Sequence, residues 1–124
     1  MKGARQRHRW RDYSTAAGRR PVKEFIDELS DVDAAAVVAA MKDVAREGLS
    51  AARHVRGEIY EVRAAGDRSS YRVLFALEGR RGAVLLALEA FRKSTQRTPP
   101  RLVDLAESRL ADWRRGHLEL DIAN

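Results

Sequence analysis

Cysteine is absent from the 124 residues, which excludes a disulfide framework and a thiolate zinc site. Long hydrophobic runs are absent too. The longest, Ala34–Met41, has eight residues, and a membrane span needs about 20. The N-terminus is basic but has no apolar stretch behind it, so no secretory signal is expected. There is no glycine-rich phosphate loop, no serine nucleophile elbow and no metal-ligand spacing. The three histidines, His8, His54 and His117, stand far apart. No metal and no cofactor is therefore expected, and the chain reads as cytoplasmic with no membrane partner. What is present suffices for one modest core: 44% of the chain is apolar, although twenty of those residues are alanine. The expectation is a single domain over residues 1–124, with a basic arm at 1–9 and a short tail at 117–124.

The charge is +6 and unevenly spread, and 20 of the 24 basic residues are arginine. Residues 1–20 carry +6 and residues 21–50 carry −4. Residues 89–101 carry +3 and residues 102–124 carry −2. Segments with helical periodicity are acidic; segments with strand periodicity and their connections are basic. Helices stacked on one face of a sheet would leave the other face electropositive, and a polyanion suits such a face. Scattered solvated arginine is the plain alternative.

Arg7–Ser14 alternates as a first strand. Pro21 opens a short helix whose stripe is Val22, Phe25, Ile26 and Leu29. Ser30-Asp31-Val32-Asp33 offers caps for a second helix. Its stripe is Ala34, Val37, Val38, Met41, Val44 and Ala45, and Gly48 ends it. The period then changes from 3.6 to 2. Ile59–Ala64 sets Tyr60, Val62 and Ala64 against Glu61 and Arg63. Tyr71–Glu78 sets Tyr71, Val73, Phe75 and Leu77 against Arg72, Leu74 and Ala76. Ala83–Phe91 is apolar almost throughout, as in a strand covered on both faces. Thr98-Pro99-Pro100 enters a last helix, with Thr98 as its cap, that ends before Gly116. The fold class is α+β: a small antiparallel β-sheet with an N-terminal helical hairpin and a C-terminal helix packed on one face.

Glu61, Arg63 and Arg72 form a polar set on that sheet, and Glu89 is followed by Phe91-Arg92-Lys93-Ser94-Thr95-Gln96-Arg97. Guanidiniums that hold phosphate, beside aromatics that stack bases, suit single-stranded RNA. His54, Tyr71, Phe91, Arg92 and Arg97 are the RNA-binding candidates. The plain alternative makes Glu61–Arg63 and Glu89–Arg92 surface ion pairs worth about 0–1 kcal/mol.

The set Ile59-Tyr60-Glu61-Val62-Arg63, Tyr71-Arg72-Val73-Leu74-Phe75 and Phe91-Arg92-Lys93-Ser94-Thr95-Gln96-Arg97-Thr98-Pro99 resembles HigB-like, phage-derived toxins of the RelE/ParE superfamily. The likeness runs over roughly residues 8–113 and implies a RelE-like fold. It also implies an mRNA interferase that cuts mRNA on the ribosome and is held inactive by a helix-turn-helix (HigA/XRE-like) antitoxin. Metal-free cleavage uses the ribose 2′-OH as nucleophile; it needs a base, cations for the phosphorane and an acid. By resemblance, Arg63 and Arg72 would clamp the phosphate. Lys93 would stabilise charge or act as base, and Glu61 would orient Arg63 or act as base. Many relatives carry His-Gly-Phe at Glu89-Ala90-Phe91 and Lys-Lys at Arg92-Lys93. Glu89 therefore either replaces an acid–base histidine or pairs with Arg72. Two rival readings are a non-catalytic, degenerate RNA-binding relative and a ParE-like DNA gyrase poison.

Overall fold

The computed structural model describes residues 8–94 and 97–123, with 117–123 described by their backbone. Most of the arm, Thr95, Gln96 and the side chains of the tail lie outside the described residues. The elements are β1 (Arg9–Asp12), α1 (Pro21–Asp27), α2 (Asp31–Glu47), β2 (Arg53–Arg56), β3 (Ile59–Ala65), β4 (Ser70–Glu78), β5 (Val84–Arg92) and α3 (Pro100–Ala123). The five strands form one sheet in the order β1-β5-β4-β3-β2. No described helix is long and apolar enough to cross a membrane.

The local signals act as expected in most places. Pro21 opens α1. Ser30 caps α2, its hydroxyl accepting from the Asp33 N–H at 3.2 Å. Gly48 closes that helix at φ 73°, a conformation that favours glycine. β3, β4 and β5 form the antiparallel meander.

The α+β class stands, while three particulars differ from the reading. First, the sheet is mixed: β1 lies parallel to β5, which requires the helical crossover that follows it. Second, the connection after Gly48 contains the edge strand β2. Third, the helices cover both faces. Val22, Val37, Met41 and Val44 pack on Val62, Val73, Phe75 and Leu85. Leu102, Val103, Ala106 and Leu110 of α3 pack on Ile59, Leu74, Ala76, Leu86 and Leu88. The reason is that β4 and β5 are apolar on both sides, so each face must be buried. Among the described residues, both sheet faces are covered by helices, so the expected open electropositive face is not found. The backbone of α3 also stays helical past Gly116, to Ala123.

Asp33, read as a cap candidate, is a buried carboxylate. It accepts from the Tyr71 hydroxyl and from the Asp67 N–H at 2.7 Å. Gly66 makes this approach possible, since a Cβ there would stand 2.5 Å from Asp33 Oδ1. The Tyr71 hydroxyl first, then the Asp67 N–H, hold the Asp33 carboxyl below its usual range. A depressed folded value gives stability that is complete above the unfolded carboxylate pKa, about 3.9. That stability is lost as pH falls through the lower folded value. Tyr71→Phe removes the largest cause. Melting temperature measured against pH is expected to drop by several degrees at neutral pH and to fall less steeply on the acid side. An unchanged acid limb would refute this account.

Candidate active site

The site is built by register across three strands. Arg63 on β3 is opposite Arg72 on β4, and Arg72 is opposite Phe91 on β5. All three therefore share the α3 face. Glu61, two residues before Arg63, shares it as well. The Arg63 Nε donates to Glu61 Oε2 at 3.0 Å, and the Arg72 Nε lies 3.4 Å from the same oxygen. Glu61 is 4% exposed and Arg72 5%, whereas the Arg63 side chain is 42% exposed. The other carboxylate oxygen, Oε1, accepts from the Thr98 hydroxyl at 2.8 Å. Glu61 is thus a buried hub between one sealed and one accessible guanidinium, rather than half of a surface ion pair.

Lys93 reaches this face because of a β-bulge. Leu74 is opposite Glu89 but Phe75 is opposite Ala87, so Leu88 is an extra residue. Strict alternation along β5 would put Leu86, Leu88, Ala90 and Arg92 on the α3 face. The bulge resets it: Leu86 and Leu88 pack under α3, and Ala90 joins the core on the other face. Glu89 and Phe91 then fall on the α3 side. The Lys93 N–H continues the ladder by donating to Ser70 O at 2.8 Å, and its register places Lys93 on that same side.

Glu89 does not pair with Arg72 or Arg92. Its Oε1 accepts from Arg109 Nη1 of α3 at 3.1 Å, and the same nitrogen donates to Leu88 O at 2.8 Å. Arg109 therefore pins the bulge to α3. The helix is anchored further by Arg56, which pairs with Asp104 and Glu107, and by Arg114, which pairs with Glu58 and Glu78. The Arg114 guanidinium holds the Glu58 carboxyl below its usual range.

The RNA-binding candidates separate. Phe91 is half-buried beside α3, and Arg97 is exposed near the start of that helix. Tyr71 is 1% exposed and sealed in the core under α1 and α2, so its ring is closed to a base. Arg92 lies on Tyr71's side, its guanidinium 5.8 Å from that ring. His54 is opposite Tyr60 and packs edge-on against it at 5.2 Å, on the α1–α2 face and away from Glu61. The neighbouring Arg53 is opposite Glu61 instead, exposed and on the site face. Sequence reasoning missed Arg53 because β2 was not seen; a one-residue step inverts the face. It also missed Thr98 as a partner of Glu61, and Arg109. Neither has a local signal, since their partners lie 37 and 20 residues away in sequence.

Among the described residues no cluster of His, Asp and Glu is arranged to hold a metal ion. What the arrangement offers is fixed positive charge: two guanidiniums oriented by one carboxylate, with Lys93 and Arg53 on the same face by register.

A five-stranded mixed sheet covered by three helices, the last of them C-terminal, is consistent with the RelE-like fold. The chain belongs to a RelE/HigB-type toxin family, described as "Phage derived protein Gp49-like (DUF891)", whose model matches residues 24–111. Two curated relatives, each named "Probable endoribonuclease HigB1", come from Mycobacterium tuberculosis strains CDC 1551 / Oshkosh and ATCC 25618 / H37Rv. Each is 34% identical over 110 residues, covering 86% of this chain and 85% of the relative.

Proposed function

We propose that the chain is the toxin of a type II toxin–antitoxin system and an endoribonuclease that cuts mRNA on the ribosome. The observation that carries this reading is the arginine pair in register around a buried glutamate, in a chain of this family. Arg63, the accessible guanidinium, would hold the scissile phosphate, and buried Arg72 would add its charge from behind Glu61 to stabilise the charge that grows on it. The ribose 2′-oxygen would bond to phosphorus and the P–O5′ bond would break, leaving a 2′,3′-cyclic phosphate and a 5′-hydroxyl. Glu61 and Glu89 are both engaged by arginines, so Glu61 acts as orienter and Lys93 is the group left for proton transfer or charge stabilisation. Exposed Arg53 and Arg97 would extend phosphate contacts, and Phe91 would offer one ring edge. A helix-turn-helix antitoxin, the ribosome and a cytoplasmic setting belong to the same reading.

The test is mRNA integrity and translation after induction. Wild type is expected to cut mRNA. Arg63→Ala, which removes an accessible guanidinium, is expected to cut about 10²–10³-fold more slowly with its melting temperature within a few degrees of wild type. Intact mRNA with wild type, or full cleavage by both Arg63→Ala and Lys93→Ala, would overturn the reading.

The pairing of both carboxylates favours one rival, binding without turnover. Tight, salt-dependent RNA binding on uncut ribosomal complexes would select it.

A further inference from the structure

We propose that Thr98 is a positioning residue for the arginine pair, latching the entry of α3 to the carboxylate that orients Arg63 and Arg72. Its catalytic consequence rests on the ribonuclease reading; its effect on the arginines rests on geometry. Glu61 is 4% exposed, and a carboxylate so buried needs donors at both oxygens. Oε2 is taken by Arg63 at 3.0 Å and faces Arg72 at 3.4 Å. Oε1 has Thr98 at 2.8 Å. With Oε1 tied, the carboxyl plane cannot turn, and Oε2 stays aimed at both guanidiniums.

The hydroxyl is presented by a stiff segment. Thr98 precedes Pro99-Pro100, so its backbone is confined to extended conformations, and its branched β-carbon limits χ1. The helix that follows is fixed to the sheet by Arg56–Asp104, Arg109–Glu89 and Arg114–Glu58. The latch therefore joins two rigid bodies, α3 and the β3–β4 pair, at the point where the phosphate would be held. A serine there keeps the donor; a valine keeps the shape and removes it.

Thr98→Val and Thr98→Ser are compared by mRNA cleavage on ribosomes and by ¹⁵N-edited NMR of the arginine Nε–Hε groups. Thr98→Val is expected to lower the maximal rate about 10–100-fold, the loss of one charge-assisted hydrogen bond. The half-saturating concentration should stay within about twofold, because binding is left intact. Thr98→Ser is expected to restore the rate. The Arg63 and Arg72 signals should shift in the valine variant and stay in place in the serine variant. If the valine variant fails to fold, Thr98→Ala is read in the same way. Unmoved arginine signals, or equal impairment by serine and valine, would sink the latch. If wild type leaves mRNA intact while the signals move as expected, the latch stands and the ribonuclease reading falls.

Discussion

Arg72→Ala is expected to lose RNA cleavage and much fold stability together, whereas Arg63→Ala should lose cleavage with a smaller loss of stability. The two arginines face the same carboxylate but differ in exposure. Arg72 and Glu61 are both nearly sealed beneath the start of α3. Removing Arg72 leaves the Glu61 charge buried with Arg63 and Thr98 as partners. Breaking one side of a buried pair costs about 3–5 kcal/mol where the other charge is left unpaired; with Arg63 and Thr98 still on Glu61 the loss is expected at or below the low end, about 3 kcal/mol or roughly 10–15 °C in melting temperature. Replacing both members with apolar groups of similar volume removes the buried Glu61 charge as well. Glu61→Leu combined with Arg72→Met is therefore expected to recover most of the stability while cleavage stays lost. Thermal unfolding of the three variants checks this. A double variant as unstable as Arg72→Ala would show that the pair itself does not set the cost.

Phe75→Ala is expected to cost about 3–5 kcal/mol, measured by urea unfolding. Phe75 is fully buried, with its ring 5.1 Å edge-on from Trp10 and 5.9 Å from Tyr60. Trp10 in turn donates its Nε1–H to Met41 O at 2.7 Å. One ring thus fills the space between β1, β3 and α2. Phe75→Leu keeps most of the volume and is expected to cost less than about 1.5 kcal/mol. The position also borders the bulge, since Phe75 is opposite Ala87 and Leu74 opposite Glu89. A loosened core there should make cleavage temperature-sensitive at temperatures where the chain is still folded. Equal losses for alanine and leucine would point to the ring contacts rather than volume.

The faces of β3 and β4 were legible from alternation. Tyr60, Val62, Tyr71 and Phe75 point to α1 and α2, and Glu61, Arg63 and Arg72 to the other side, as the period of two requires. The helical hairpin was legible too, because Pro21, Ser30 and Gly48 act through bonds within a turn or two of themselves. Even the two-sided burial of β5 was visible in its unbroken apolar run. The cover it implies, α3 on the opposite face from α1 and α2, did not follow from any single segment.

Site placement in β5 and β2 was another matter. The bulge at Leu88 carries no local mark, yet it decides that Glu89 and Phe91 join the Arg72 face while Arg92 stacks on Tyr71. Pairing of β2 with β3 likewise decides that Arg53 and not His54 lies beside Glu61.

Local pattern is enough for the α+β class, for every element except the edge strand β2, and for the shared face of Glu61, Arg63 and Arg72. Each of these depends on periodicities and caps read within a few residues. The burial of Glu61 and Arg72, the bond from Thr98 to Glu61 and the capture of Glu89 by Arg109 arise only when the chain is folded. Those outcomes depend on where α3 lies over the sheet. That placement is fixed by packing and ion pairs between residues far apart in the chain, which no local pattern encodes.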